Sequence, residues 1–134
     1  MDTNIYNILM VGVGGQGIIL ASEIVSEAAL NAGYDVRKSE VHGMAQRGGS
    51  VSSHVRFGKE VKSPLIELGQ ADLMLAFEKA EALRSCDFMK DDAVIILNDT
   101  EIIPTTVSTG LSTYPDEPET YLKEIGYDPV MVNA

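Results

Sequence analysis

The 134-residue chain has no tryptophan, two histidines and one cysteine, Cys86. A single thiol cannot hold an iron–sulfur cluster, which takes about four thiolates, and it cannot close an internal disulfide. Any redox cofactor that works with this chain must therefore sit on another polypeptide. Two histidines with no clustered ligand spacing give no metal site, and Cys86 reads as a small half-buried side chain on a helix. No run approaches the roughly 18 apolar residues that a membrane span needs. The N-terminus offers Asp2 and no basic region ahead of an apolar run that is itself a good strand. A secretory signal is therefore not expected, and the cytoplasm is the expected compartment.

Basic charge is scarce as well: 10 Lys and Arg stand against 20 Asp and Glu, a formal net charge of −10. A nucleic-acid binder would need a broad basic surface, so nucleic acid is not an expected partner. The imbalance is uneven. Residues 91–134 carry nine acids against Lys123 alone, whereas residues 36–62 hold Arg37, Lys38, Arg47, Arg56, Lys59 and Lys62 against Glu40 and Glu60. A locally basic segment in an acidic chain points to a local anionic ligand, with ordinary solvated surface charge as the alternative. The length and a hydrophobic fraction of 45% suit one globular domain with a real core, with no room for a second catalytic domain.

What is present is organised around Gly12-Val13-Gly14-Gly15-Gln16-Gly17. The stretch follows Ile5 to Val11, a short buried strand by its apolar run, and opens into Ile18 to Ala32, whose apolar residues recur at helical spacing. Gly12, Gly14 and Gly17 stand in G-x-G-x-x-G register. That spacing lets the backbone turn tightly and leaves free N–H groups at a helix N-terminus, where an anion is stabilised, so the site is of phosphate size. The helix is expected to turn Ile18, Ala21, Val25, Ala28 and Ala32 along one stripe, to hold Ser22, Glu23, Ser26, Glu27 and Asn31 on the other side, and to stop at Gly33. Tyr34 to Ser39 then completes a β-α-β unit. Glu40 stands near the position where a dinucleotide-binding domain carries the acid for its ribose.

Glu40 to Gly49 has three glycines and no period, so it reads as a loop of the kind that carries a site at a strand end. Ser50 to Phe57 alternates, with Val51, Ser53, Val55 and Phe57 on one face and Ser52, His54 and Arg56 on the other, which predicts a strand with one wet face. Gly58-Lys59 predicts a turn and a hairpin returning through Glu60 to Ser63, ended by Pro64. Ala71 to Phe77 and Ala93 to Leu97 read as central strands, Glu78 to Met89 as a helix between them, Glu101 to Ser108 as edge strand or extended loop, and Pro115 to Gly126 as an acidic helix. Val130-Met131-Val132 begins one more strand. The expected fold is α/β: an open, mostly parallel Rossmann-like sheet with helices on both faces and an antiparallel hairpin after the second glycine loop.

Two motifs together are far more specific than either alone: Gly12-x-Gly14-Gly15-Gln16-Gly17 opening a helix, and His42-Gly-Met-Ala-Gln46-Arg47-Gly48-Gly49-Ser50 before an alternating strand. The pairing resembles the gamma-type subunit or domain of the 2-oxoacid:ferredoxin oxidoreductases, and the lead-in Val41 to Gln46 resembles the indolepyruvate branch. The resemblance spans essentially the whole chain. It implies a supporting subunit of an enzyme that decarboxylates an aryl pyruvate, passes electrons to ferredoxin and releases an aryl-acyl-CoA. Thiamine diphosphate and [4Fe–4S] clusters then belong to an alpha-type partner subunit, beside which this chain packs and helps to hold coenzyme A. It also implies a further helical segment beyond Val130, so residues 1–134 are expected to be a single gamma-type domain truncated at its C-terminus. Alone, such a chain is expected to self-associate through surface that its partner normally covers.

The residues themselves favour binding over catalysis. The cofactor-binding candidates are Gly12, Gly14, Gly15, Gln16, Gly17, Arg47, Gly48, Gly49 and Ser50. Arg47 offers a planar fork for phosphate or carboxylate, or a structural ion pair, and Gly48-Gly49 admits a ligand or a neighbouring subunit close to the backbone. Gln16 has an amide that either donates to a ligand phosphate or caps the turn. His42 is the one candidate general base in the loops, and with no carboxylate at fixed spacing it is not assigned a catalytic role. Two alternatives remain open: a stand-alone dinucleotide-binding module that uses Glu40, and a subunit whose glycine loops serve packing alone.

Overall fold

The computed structural model describes residues 4–42, 49–101 and 117–133. In chain order the elements are β1 (Tyr6–Val13), α1 (Ile18–Asn31), β2 (Asp35–His42), β3 (Ser50–Gly58), β4 (Ala71–Ala76), α2 (Lys79–Arg84), β5 (Met89–Asn98), α3 (Pro118–Glu124) and β6 (Val130–Val132). Among the described residues the strands form one six-stranded sheet in the order β2-β3-β1-β4-β5-β6. β1, β4, β5 and β6 are parallel neighbours, and β3 runs antiparallel to both β1 and β2. The sheet is thus the mostly parallel one expected, with one reversed strand.

Both faces of β1 are buried, as its unbroken apolar run requires. Ile8 and Met10 pack with Ile18, Ala21 and Val25 of α1, and with Val51 and Val55 of β3. Leu9 and Val11 face the other way, into a core with Met74, Ile95, Leu97, Ala82 of α2 and Leu122 of α3. Helices therefore lie on both faces, α1 over β1, β2 and β3 on one and α2 and α3 on the other.

Four expectations are corrected. In α1 the buried residues are Ile18, Ser22, Ser26 and Ala29, while Leu20 and Ile24 are 62% and 61% exposed and Ala28 also faces out. Small hydroxyl residues sit where the helix meets β3, and Ser22 satisfies its Oγ on its own helix by donating to the Ile19 carbonyl at 2.7 Å. β3 has no wet face at its centre, because it lies inside the sheet: His54 is buried, accepts the Ile66 N–H on Nδ1 at 2.9 Å and meets Phe88 edge-on at 5.4 Å. No strand returns through residues 60–63. Both edges of β3 are already occupied, by β1 and β2, so a returning strand has nowhere to pair. The antiparallel partner across the second glycine loop is β2, which precedes that loop. Finally, α2 ends at Arg84 and a short 3-10 turn, Cys86–Phe88, leads into a β5 that starts at Met89. The expected helix of Pro115 to Gly126 is α3, and the stretch from residue 102 to 116 lies outside the described residues.

Burial holds the His54 pKa below its ordinary value of 6.5. The unfolded chain therefore takes up this proton first on acidification, so the contribution of His54 to stability is complete above the ordinary histidine pKa and is lost as pH falls below it. Urea unfolding between about pH 7 and about pH 5 is expected to show stability falling in the wild-type chain. His54→Asn, which keeps an acceptor near the Nδ1 position, is expected to flatten that slope. An equal slope in both proteins would assign the titration to other groups.

Candidate functional site

β1 delivers the chain to Val13, and the turn Gly14-Gly15-Gln16-Gly17 carries it into α1. Gly15 and Gly17 adopt φ of 96° and 86°, in the left-handed region that favours glycine, and Gly17 is the N-cap residue of α1. Gly12 is needed for a different reason: a Cβ there would stand 2.5 Å from Ile18 Cδ1 and 2.7 Å from Gln16 Oε1. The Gln16 side chain is committed to the backbone. Its Oε1 accepts the Val13 N–H at 2.8 Å, and its Nε2 donates to the Phe77 carbonyl at 2.9 Å. Asn98 Nδ2 donates to the same carbonyl at 3.3 Å. The turn is thereby pinned to the carboxyl ends of β4 and β5.

The second motif meets the first at this end of the sheet. Ser50 lies opposite Val13 in the β1–β3 ladder, and the Gly14 N–H donates to the Gly49 carbonyl at 3.0 Å. Gly12, Gly14, Gly15, Gln16, Gly17, Gly49 and Ser50 are brought together in this way; Arg47, Gly48 and the His42 side chain lie outside the described residues. On the α1 side a cleft of about 260 Å³ is lined by Val13, the glycines of the turn, Ile18, Ile19 and Val51. No side chain caps the N-terminus of α1 and no acid occupies its first turn, so the cleft suits an anion. On the other side of β3 a second cleft, of about 210 Å³, is lined by Val41, Ser50, Ser52, Glu81, Arg84 and their neighbours.

Sequence reading passed over the residues just past β4. Glu78 is buried, and its Oε1 accepts the Glu81 N–H at 2.9 Å, capping α2. Lys79 places Nζ 2.8 Å from Asp99 and 2.7 Å from Glu119, with Glu101 at 3.6 Å, and so ties α2 to the end of β5 and to α3. The bonds to Asp99 and Glu119 raise the lysine pKa above its ordinary value, and the bond to Lys79 lowers that of Glu119. Glu81 has its pKa raised by burial. The signal that could have found these residues is position: a polar run at the carboxyl end of a central parallel strand, where open α/β sheets bind ligands.

Other candidates lie elsewhere. Glu40 of β2 is opposite Ser53 of β3, which is opposite Met10 of β1. It is two strand spacings from β1, roughly 10 Å, and exposed. Much of the basic segment is engaged with its own chain. Arg37 pairs with Asp35 at 3.2 Å and Lys38 with Glu23 at 3.7 Å, while Arg56 donates to Asn7 Oδ1 at 2.9 Å and to the Ser63 carbonyl at 2.7 Å. Cys86 is half-buried, and desolvation pushes its thiol pKa up. Among the described residues no helix is long and apolar enough to cross a membrane.

Comparison with known proteins adds the following. The family model for pyruvate ferredoxin/flavodoxin oxidoreductase matches residues 7–134. The indolepyruvate oxidoreductase subunit IorB of Archaeoglobus fulgidus is 52% identical over 110 residues, which are 82% of this chain and 54% of that protein. The chain therefore spans about half the length of the curated relatives it matches. The crystal structure of pyruvate oxidoreductase subunit PORC from Thermotoga maritima shares the fold, with a TM-score of 0.66 at 22% identity over 97% of this chain and 62% of that one. So does 2-oxoglutarate:ferredoxin oxidoreductase from Magnetococcus marinus, solved with 2-oxoglutarate, coenzyme A and succinyl-CoA bound, with a TM-score of 0.64 at 21% identity over 96% of this chain and 20% of that one.

The two hydrogen bonds of Gln16 generate a direct expectation. Gln16→Ala leaves the Val13 N–H and one bond to the Phe77 carbonyl unmade, and is expected to lower stability by about 2 kcal/mol. Urea unfolding, with amide exchange at Val13 as the local readout, checks this. Unchanged stability with a still-protected Val13 amide would show that the side chain does not hold the turn.

Proposed function

The chain belongs to the pyruvate ferredoxin/flavodoxin oxidoreductase family, and from that premise we propose that it is the gamma-type subunit of a thiamine-diphosphate-dependent 2-oxoacid:ferredoxin oxidoreductase acting on indolepyruvate or a similar aryl pyruvate. The complex releases CO2 and an aryl-acyl-CoA and reduces ferredoxin. This chain supports the active site and holds a phosphate of coenzyme A. The observation that carries the reading is the Gly14 N–H to Gly49 carbonyl bond, which joins the two glycine motifs beside the uncapped N-terminus of α1.

The residues present fit a phosphate. Backbone N–H groups at a helix start, walled by Ile18, Ile19 and Val51, offer oriented dipoles in an apolar setting, which strengthens them. With one cysteine, this sequence does not by itself ligate a [4Fe–4S] cluster. Clusters and thiamine diphosphate are therefore assigned to the alpha-type subunit, which supplies decarboxylation and electron transfer, while this chain binds and orients the acyl acceptor.

The sheet also has an open apolar face. On the α1 side of the sheet, Leu73, Leu75, Val94, Ile96, Val130 and Val132 share one face across β4, β5 and β6. Val94 and Val130 remain 48% and 52% exposed there, although parallel sheets are ordinarily covered on both faces. As part of that enzyme the chain works in the cytoplasm with ferredoxin, and this face makes it prone to self-associate when isolated. The dinucleotide reading is disfavoured because β3 separates Glu40 from the glycine turn.

The test is reconstitution with the alpha-type subunit and assay of indolepyruvate-dependent ferredoxin reduction with and without coenzyme A. A Cβ on Gly15 meets no atom within 4 Å, and the strain of a side chain at φ 96° is shared by the two variants compared. Gly15→Asp therefore places a carboxylate at the mouth of the cleft, and it is expected to raise the KM for coenzyme A by about tenfold relative to the uncharged control Gly15→Asn. Equal KM values would remove the phosphate from this turn. Failure to form an active complex would remove the subunit reading itself.

A further inference from the structure

The helices that follow β1 and β4 leave the sheet on opposite faces. α1, after β1, packs with Ile8, Met10 and Val55, whereas α2, after β4, adds Ala82 to the core of Leu9 and Val11. The two strands are parallel neighbours, with Val11 opposite Ala76 at their carboxyl ends. Adjacent parallel strands whose helices part in this way open a crevice beyond those ends, where open α/β sheets take their ligands. The glycine turn forms one bank of the crevice and Phe77 the other. The banks are tied by the Phe77 N–H, which donates to the Val11 carbonyl at 2.8 Å, and by the Gln16 amide on the Phe77 carbonyl at 2.9 Å.

The anion cleft stands on the bank of the turn. On the other bank a cleft of about 180 Å³ is lined by Leu75, Ala76, Phe77, Ile96, Asn98 and Val132, at the carboxyl ends of β4, β5 and β6. Both open on the same face of the sheet, because Leu75 and Phe77 pack with Ile18 in the core beneath α1. Ile18 lines the first cleft and Phe77 the second. Ile18 Cδ1 and Phe77 Cβ lie 2.5 Å and 3.0 Å from the point where a Cβ on Gly12 would stand, so the two clefts share one thin wall.

The second cleft is apolar apart from Asn98, whose Nδ2 donates to the Phe77 carbonyl and to Thr100 Oγ1. It is smaller than the roughly 300 Å³ at which sites for whole small-molecule ligands begin, so it suits one compact group of a larger ligand. The diphosphate of coenzyme A carries the thiol arm on one side and adenosine on the other. A thiol that reacts on the partner subunit leaves the adenosine end beside this chain. Adenine is flat and stacks on aromatic side chains, and the cleft offers the half-buried ring of Phe77.

We propose that the cleft of Leu75, Phe77, Ile96 and Val132 receives the adenine ring of coenzyme A, so that one ligand spans the crevice with a phosphate on the glycine turn and its base over the ends of β4, β5 and β6. The assignment rests on the function proposed above, and the experiment separates the two.

The complex reconstituted with the alpha-type subunit is assayed for its KM for coenzyme A and for inhibition by the two halves of that molecule, adenosine 3′,5′-bisphosphate and 4′-phosphopantetheine. Phe77→Leu removes the ring and keeps the carbonyl that Gln16 and Asn98 use. Val132→Trp fills the cleft from β6, an edge strand on which Val132 is 39% exposed. Each variant is expected to raise the KM for coenzyme A and the Ki for the adenosine bisphosphate about tenfold, the loss of one stacked base, with the Ki for phosphopantetheine moving less than about twofold. An unchanged Ki for the adenosine bisphosphate in both variants overturns the proposal and leaves the phosphate on the turn. So does an equal rise for the two halves, which marks a general loosening of the site. If Val132→Trp prevents assembly and Phe77→Leu leaves that Ki unmoved, the cleft belongs to the subunit interface and the proposal is likewise overturned. A wild-type complex whose activity is independent of coenzyme A removes the functional reading, and the adenine site with it.

Discussion

The insertion of β3 between β1 and β2 is the constraint from which the rest of the site follows. In a simple β-α-β unit the second parallel strand lies beside the first, and the acid at its end faces the glycine turn. Here a reversed strand takes that place, and its first residues arrive beside the last residues of β1. One topological change therefore has three effects. It carries the second glycine motif to the first, moves Glu40 two strands away, and uses both edges of β3 so that the residues after Gly58 have no strand to pair with.

The carboxyl ends of the parallel strands then carry an interlocking set of polar contacts. Gln16 joins the end of β1 to Phe77 just past β4, Asn98 at the end of β5 shares the same carbonyl, and the Phe77 N–H returns to Val11 at 2.8 Å. Each bond is worth only about 1 kcal/mol net, but each also satisfies a backbone group that the glycine turn would otherwise leave unpaired. Lys79 continues the set toward α3. A lysine this buried is tolerated because Asp99 and Glu119 are both within 3 Å. The candidate site presents oriented backbone groups held by side chains, and the anion site proposed above draws on them.

The alternation of strands and helices, the glycine turn and the buried central strands could all be read from the chain, because each rests on local spacing. What escaped was set by partners distant in sequence. Ser22 and Ser26 look like surface residues by polarity, yet close packing of α1 on β3 turns them inward and leaves Leu20 and Ile24 outside. His54 alternates like a solvent-facing residue, and it is buried because the strand is internal. Nothing local distinguishes Gln16 as a ligand from Gln16 as a brace; the deciding group, the Phe77 carbonyl, is 61 residues away. Lys79 and Glu81 carry no motif, and only the strand order gives them a place near the turn.

Two surfaces stand open among the described residues. An uncapped helix start offers charge recognition without a titratable catalytic group, and the apolar face across β4, β5 and β6 offers area without chemistry. In this chain the buried groups Glu78 and Lys79 are engaged in capping α2 and in tying it to the end of β5 and to α3. The function proposed above uses the helix start to hold a phosphate-bearing substrate for chemistry on the partner subunit. Among the described residues the contact between the two glycine motifs runs through Gly49 and the first residue of β3, so its geometry depends on how rigidly that strand is anchored.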